Sequence, residues 1–225
     1  MTIEKIENIA EAGGQKTKID KLFLFDFDDT LAHTENFVNV TFIDKETGES
    51  EGQENLDSYS FEKYRQSPEE DRESDILDFD DFDNVRNPVP ISSVLILMSS
   101  AIDDPDSYPA IITARPSTSK QGISLFLNSN NISIPQNDIN TVGDIGGKPE
   151  HKLAVAKQYV MNLSPKEVHF FDDSKKNNDA IITMCGDISD DLQVFTYDII
   201  SGIPKLDSTC DSIEQKRMME IAGII

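Results

Sequence analysis

Leu22-Phe23-Leu24-Phe25-Asp26-Phe27-Asp28-Asp29-Thr30-Leu31 runs four apolar residues straight into three carboxylates within four positions. Four consecutive apolar side chains read as a strand buried on both faces. Such a strand belongs in the middle of a parallel sheet, and open parallel sheets bind ligands at the carboxyl ends of their strands. Asp26 and Asp28, two apart, point the same way if the backbone stays extended. Like charges held that close repel unless a cation lies between them or one keeps a proton. The stretch predicts a catalytic or metal-binding tip on a first core strand from Lys21 to Phe27.

Downstream, strand and helix patterns alternate. The spacing predicts a helix over Ile91–Ser100, a strand over Tyr108–Ala114 and a helix over Ser117–Asn130 stopped by an Asn-rich run. A short strand over Asp138–Val142 leads into the turn Gly143-Asp144-Ile145-Gly146-Gly147. A helix over Pro149–Met161 has proline at its favoured first position. A strand over Lys166–Phe171, a helix over Lys175–Met184 and a strand over Gln193–Tyr197 follow. Alternation of this kind predicts an α/β fold, a Rossmann-like parallel sheet with helices on both faces. The core is assigned to residues 21–34 and 88–204. Residues 1–20 read as a lead-in, and 205–225 as a helical tail.

Between the first strand and the rest of the core, residues 35–87 change character. From Asp44 to Asp83 there are sixteen acids and four bases, punctuated by Gly48, Gly52 and Pro68. Thr41–Gly48 reads as a strand into a turn. Phe61, Tyr64, Ile76, Leu77, Phe79 and Phe82 offer a thin apolar face, so the segment is either a small acidic cap-like insertion or partly disordered.

The 225 residues suffice for one α/β domain and this insertion. Forty-two acids against twenty bases give a net charge of -22. Charge of that sign repels nucleic-acid phosphates and anionic membranes and favours divalent cations nearby. No stretch approaches the ~20 apolar residues needed to span a bilayer, and no signal-like start is seen. The chain is expected to be soluble and cytoplasmic, with Cys185 and Cys210 as reduced thiols, since two cysteines make no disulfide framework at this size.

The pattern Asp26-x-Asp28-x-Thr30 after an apolar strand resembles the first motif of the haloacid dehalogenase superfamily. Ile111-Ile112-Thr113-Ala114-Arg115 resembles the second, an apolar strand ending in a phosphate-binding threonine. Lys148 or Lys152 would supply the third, and Val168-His169-Phe170-Phe171-Asp172-Asp173-Ser174 resembles the fourth. The four occur in the family's order and span roughly Lys21 to Asp198.

The resemblance implies a Mg²⁺-dependent phosphomonoester hydrolase acting on a small phosphorylated substrate. Asp26 would attack phosphorus and form an aspartyl-phosphate. Asp28 would protonate the leaving alcohol and then activate water, while its backbone carbonyl joins Asp26 as a metal ligand. Asp29 reads as a bystander. Thr113 and the backbone N–H of Ala114 would hold the phosphoryl oxygens, and Thr30 and Arg115 complete the substrate-binding set; Arg115 reads equally as a solvated loop residue. The third-motif lysine is Lys148, in the common Lys-Pro form, or Lys152, in the helix's first turn and slightly preferred. Asp172 and Asp173 would complete an oxygen site suited to Mg²⁺, with either acid the direct ligand and Asn177 a neutral neighbour. His33, His151 and His169 form no metal-ligand spacing, although His33 could line the substrate entrance. A nucleotide or polynucleotide end phosphatase is the enzymatic alternative; no basic, aromatic-rich strip supports binding of long nucleic acid. The alternative of another class is a catalytically silent acidic module that binds a protein partner.

Overall fold

The computed structural model describes residues 18–65, 67–68, 72–189 and 191–210. Among the described residues eleven strands appear in chain order: β1 Lys21–Phe25, β2 Ala32–His33, β3 Val38–Ile43, β4 Ser50–Leu56, β5 Ile76–Asp78, β6 Val89–Pro90, β7 Ser107–Thr113, β8 Ile139–Thr141, β9 Glu167–Asp172, β10 Gln193–Ile200 and β11 Ile203–Thr209. Six form the main sheet in the order β11-β10-β9-β1-β7-β8. Every pairing in it is parallel except the β10–β11 hairpin. β1 is central, as its unbroken apolar run requires.

Alternation along β1 splits the core into two layers. Leu22 and Leu24 pack with Ala110, Ile112, Val168 and Phe170 against Ala156 and Val160 of the helix Pro149–Leu163 and Ile181 of the helix Lys175–Ile182. Phe25 faces the opposite way, with Ile111 and Phe171, toward Val94 and Met98 of the helix Ser92–Asp103 and Ile123 and Phe126 of the helix Lys120–Ser129. Helices therefore cover both faces, and truncating a fully buried residue such as Leu24 to Ala would cost about 2–5 kcal/mol. Neighbouring strands also pair ring on ring: Phe171 stacks between Phe25, at 4.9 Å, and Tyr197, at 4.5 Å.

Several expectations change. β1 ends at Phe25, two residues early, because the amides of Leu31 and Ala32 both donate to the Phe27 carbonyl and turn the chain. The predicted Ser117–Asn130 helix opens with a 3₁₀ turn, Ser117–Ser119. The tail is not helical from residue 205. Ser201 and Gly202 both have positive φ, 52° and 73°, which reverses the chain tightly and lays β11 antiparallel to β10. The remainder of that tail, 211–225, and lead-in residues 1–17 lie outside the described residues. Cys185 and Cys210 are not free thiols: they form a disulfide that ties the turn after the helix Lys175–Ile182 to the residue following β11. Count and spacing carried no sign of it, since the pair meets only through the fold. No helix among the described residues is long and apolar enough to cross a membrane.

Residues 35–87 carry a second, three-stranded antiparallel sheet ordered β4-β3-β5, with a helix at Ser58–Arg65. Its core is small: Val38, Val40 and Leu56, flanked by Phe42, Phe61, Tyr64 and Phe82. The segment leaves and rejoins the core side by side, through a separate two-stranded sheet. β2 pairs antiparallel with β6, and the Glu35 amide donates to the Arg86 carbonyl at 3.0 Å.

Candidate active site

β1 and β9 run parallel with Phe25 opposite Phe171, and the Asp26 amide continues the ladder by donating to the Phe171 carbonyl at 2.9 Å. That register sets Asp26 and Asp172 on neighbouring strand tips, about 4.8 Å apart in the sheet. A third acid, Asp173, follows. One carboxylate oxygen from each of Asp26, Asp172 and Asp173 lies within 4.8 Å of the other two.

Lys152 reaches this cluster from the helix Pro149–Leu163. Lys152, Ala156 and Val160 recur every four residues and form the helix's buried stripe. At the amino end of that stripe the ammonium stands 2.9 Å from Asp26 Oδ1 and 2.8 Å from Asp172 Oδ2. Lys148 stays outside. It is the exposed residue before the helix, with non-helical φ and ψ of -76° and 157°, and its backbone N–H donates to His151 Nδ1. Of the two candidate lysines, only Lys152 meets the carboxylates.

Burial is the largest influence on Asp26 and raises its carboxyl; Lys152 opposes the rise, while Asp172 and Asp28 add to it, leaving the group pushed up to about 7. Burial acts on Lys152 in the opposite sense, but the fields of Asp172 and Asp26 outweigh it and hold the ammonium well above its ordinary value. Asp173 is raised to about 9, first by desolvation and then by Asp172, Asp26 and Asp29, although its side chain remains open to solvent. Three carboxylates against one ammonium leave two negative charges when all are ionised. A single divalent cation would neutralise them, and an all-oxygen donor set suits a hard cation.

Asp172 and Asp173 have separate surroundings. Asp172 is fully buried and accepts from Lys152, from the Ser174 amide at 2.8 Å and from Asn177 Nδ2 at 2.9 and 3.0 Å. Asn177 is thus a direct partner of Asp172. Asn178 holds the turn by bridging the Asp172 carbonyl and the Asp198 carboxylate. Asp173 faces outward.

Asp28 does not join the carboxylate cluster. With the strand ended at Phe25, its side chain diverges from Asp26 and meets Arg115 in a two-pronged pair, Nε to Oδ2 and Nη2 to Oδ1, both 2.7 Å. Thr34 Oγ1 adds a hydrogen bond at 2.8 Å. Asp29 turns away to His33 Nδ1, at 2.7 Å, from a left-handed backbone, φ 53°. His33 is exposed beside this pair.

Two expected substrate contacts are placed elsewhere. Thr30 is fully buried, with its Oγ1 lacking a hydrogen-bond partner among the described residues, so no substrate can touch it as it stands. Arg115 is 1% exposed, and all its guanidinium nitrogens are engaged by protein acceptors. It is neither a free phosphate ligand nor a solvated loop residue. Thr113 ends β7, one strand from β1, with its Oγ1 accepting from the Arg115 amide at 3.3 Å. Ala114 is exposed beyond it. The turn is braced by Gly143, whose amide donates to the Arg115 carbonyl at 3.0 Å; a Cβ on Gly143 would come within 2.5 Å of the Ala114 carbonyl oxygen. Asn36 and Asn178 gave no signal in the sequence, since an asparagine in a polar loop or on a helix looks alike whether it braces a site or faces water.

No family model, curated protein or solved structure matches this chain.

Proposed function

We propose that the chain is a phosphomonoester hydrolase, dependent on a divalent cation of the Mg²⁺ type, with Asp26 as nucleophile. The observation that carries the reading is the Asp26–Lys152–Asp172–Asp173 cluster at the carboxyl ends of two adjacent parallel strands. Its supports are the charge balance and the order of the four sequence motifs, which resemble those of the haloacid dehalogenase superfamily.

Asp26, Asp172 and Asp173 would hold the cation, whose positive charge would offset the negative charge of the phosphoryl oxygens. Lys152 keeps Asp26 and Asp172 together and supplies a second fixed positive charge where negative charge gathers. An Asp26 oxygen forms a bond to phosphorus as the bond from phosphorus to the ester oxygen breaks, and Asp28 gives the departing oxygen its proton. Asp28 then takes a proton from water as that water attacks phosphorus, releasing inorganic phosphate and restoring Asp26. Thr113 and the exposed turn at Ala114 lie on the next strand tip, where the phosphoryl oxygens would be received. The segment 35–87, joined to the core through the β2–β6 pair, would act as a small acidic cap that selects the leaving group.

The test is phosphate release from nucleotides, sugar phosphates, 3′- and 5′-phosphorylated oligonucleotides and p-nitrophenyl phosphate, with and without Mg²⁺. Mg²⁺-dependent release by wild type that disappears in Asp26→Asn supports the reading. Release that survives Asp26→Asn removes the covalent mechanism.

A further inference from the structure

Arg115 lies between three parts of the chain that the proposed reaction needs in one place. One edge of its guanidinium grips Asp28 through Nε and Nη2. Nη1 donates to the carbonyls of Phe82, at 3.1 Å, and Asn84, at 2.7 Å, in and just after the 3₁₀ turn Asp80–Asp83 near the end of the segment 35–87. Nη2 also reaches Thr34 Oγ1, at 3.1 Å, and Asn36 Oδ1, at 2.7 Å, in the link between β2 and β3 where the segment begins. The rings of Phe27 and Phe82 lie 5.4 and 5.0 Å from the guanidinium carbon. Asn36 extends the brace: its Nδ2 donates to the Asp81 and Asn84 carbonyls, and its Oδ1 receives the Arg86 amide.

We propose that Arg115 is a positioning residue that couples the seating of the segment 35–87 on the core to the aim of Asp28. A buried guanidinium that loses the Phe82 and Asn84 carbonyls has unpaired donors and no second edge to fix its plane. The Asp28 carboxylate would then lose its orientation. Coupling of this kind is reciprocal, so disturbing Asp28 must loosen the segment by the same free energy. The planar fork is essential, because a lysine carries charge but cannot hold a carboxylate at two points and two carbonyls at once. The catalytic consequence rests on the phosphatase reading; the structural coupling does not.

Two arms test it on the full chain. Hydrogen exchange compares wild type with Asp28→Asn at the amides of Glu35, Phe37 and Arg86, which bond across the two legs of the segment. Exchange at these amides should accelerate about tenfold, a factor equal to about 1.4 kcal/mol, while β9 amides stay as they were. Unchanged exchange at the three amides, or equal acceleration in β9, overturns the coupling whatever the activity. The second arm compares Arg115→Lys with wild type on p-nitrophenyl phosphate and an alkyl phosphate, in Mg²⁺. The variant should lose about 10²-fold in kcat on the alkyl ester, the scale of a misplaced group, and about tenfold less on the aryl ester, whose leaving group needs no proton. KM should stay nearly constant. Equal losses on both esters, or a loss confined to KM, overturn the positioning role. Failure of wild type to release phosphate from either ester counts against the phosphatase reading alone, and the exchange arm then decides the coupling.

Discussion

Lys152 and Asp172 lie 20 residues apart in sequence and 2.8 Å apart in space, both almost without solvent contact. An ammonium so buried is tolerated only beside carboxylates, and this one serves two. Its removal would leave a group of acids with no internal counter-charge.

Lys152→Met should therefore destabilise the metal-free protein at neutral pH by about 3–5 kcal/mol, the usual cost of orphaning a buried ion-pair partner. Lys148→Met, at an exposed position, should stay within about 0.5 kcal/mol of wild type. Urea unfolding followed by circular dichroism checks both, and equal effects would break the assignment of Lys152 to the cluster.

Asp28→Asn should lower turnover of an alkyl phosphate by about 10²–10⁴-fold, the range for loss of a general acid–base group. Asp26→Asn should remove turnover while leaving the circular dichroism spectrum and unfolding midpoint close to wild type. Steady-state kinetics with a coupled phosphate assay reads both variants. Comparable residual activity in the two would show that Asp26 is not the attacking group.

The raised carboxyl of Asp26 makes stability depend on pH with a definite sign. Because the folded value, about 7, lies above the unfolded one, 3.8, the folded protein holds a proton the unfolded chain has lost across that interval. The stability associated with neutral Asp26 is complete below 3.8 and disappears as pH rises through about 7. Without metal, the thermal midpoint should fall over this window. Mg²⁺ should recover it at pH 8, because binding favours the ionised cluster and releases protons. In Asp26→Asn the fall should be smaller, leaving the part that the raised carboxyl of Asp173 contributes. A midpoint in wild type that rises steadily from pH 4 to 8 without metal would contradict the assigned environment of Asp26.

Reduction of Cys185–Cys210 should cost stability without dismantling the sheet. The bridge closes a separation of 25 residues, for which loop-closure entropy predicts about 3.5 kcal/mol. Denaturant titration with and without reductant, beside Cys185→Ala, measures it. No change on reduction would show that the bridge does not constrain the unfolded chain.

Much of the core was legible because its strands are buried on both faces. Runs such as Leu22–Phe25, Ile111–Ile112 and Val168–Phe171 have few alternatives to a central parallel strand, and the helices between them carry their own periodicity. The missed β11 has another pattern. Ile203-Pro204-Lys205-Leu206-Asp207 is an edge strand, half exposed, and its one sequence cue was the Ser201-Gly202 pair.

At the proposed site, sequence determined which residue types gather at the strand tips: Asp26 just after β1, Thr113 at the end of β7, Asp172 at the end of β9 and Asp173 just beyond it. These follow from where apolar runs stop, a local property. Tertiary structure alone decided their partners. The helix phase of Pro149–Leu163 selects Lys152 over Lys148, and the turn at Phe27 separates Asp28 from Asp26. The return of the segment 35–87 supplies the carbonyls that occupy Arg115. Each outcome depends on groups 20 to 87 residues apart meeting in space, and the hydrophobic pattern of a chain specifies where its elements run more strongly than which polar side chains they bring together.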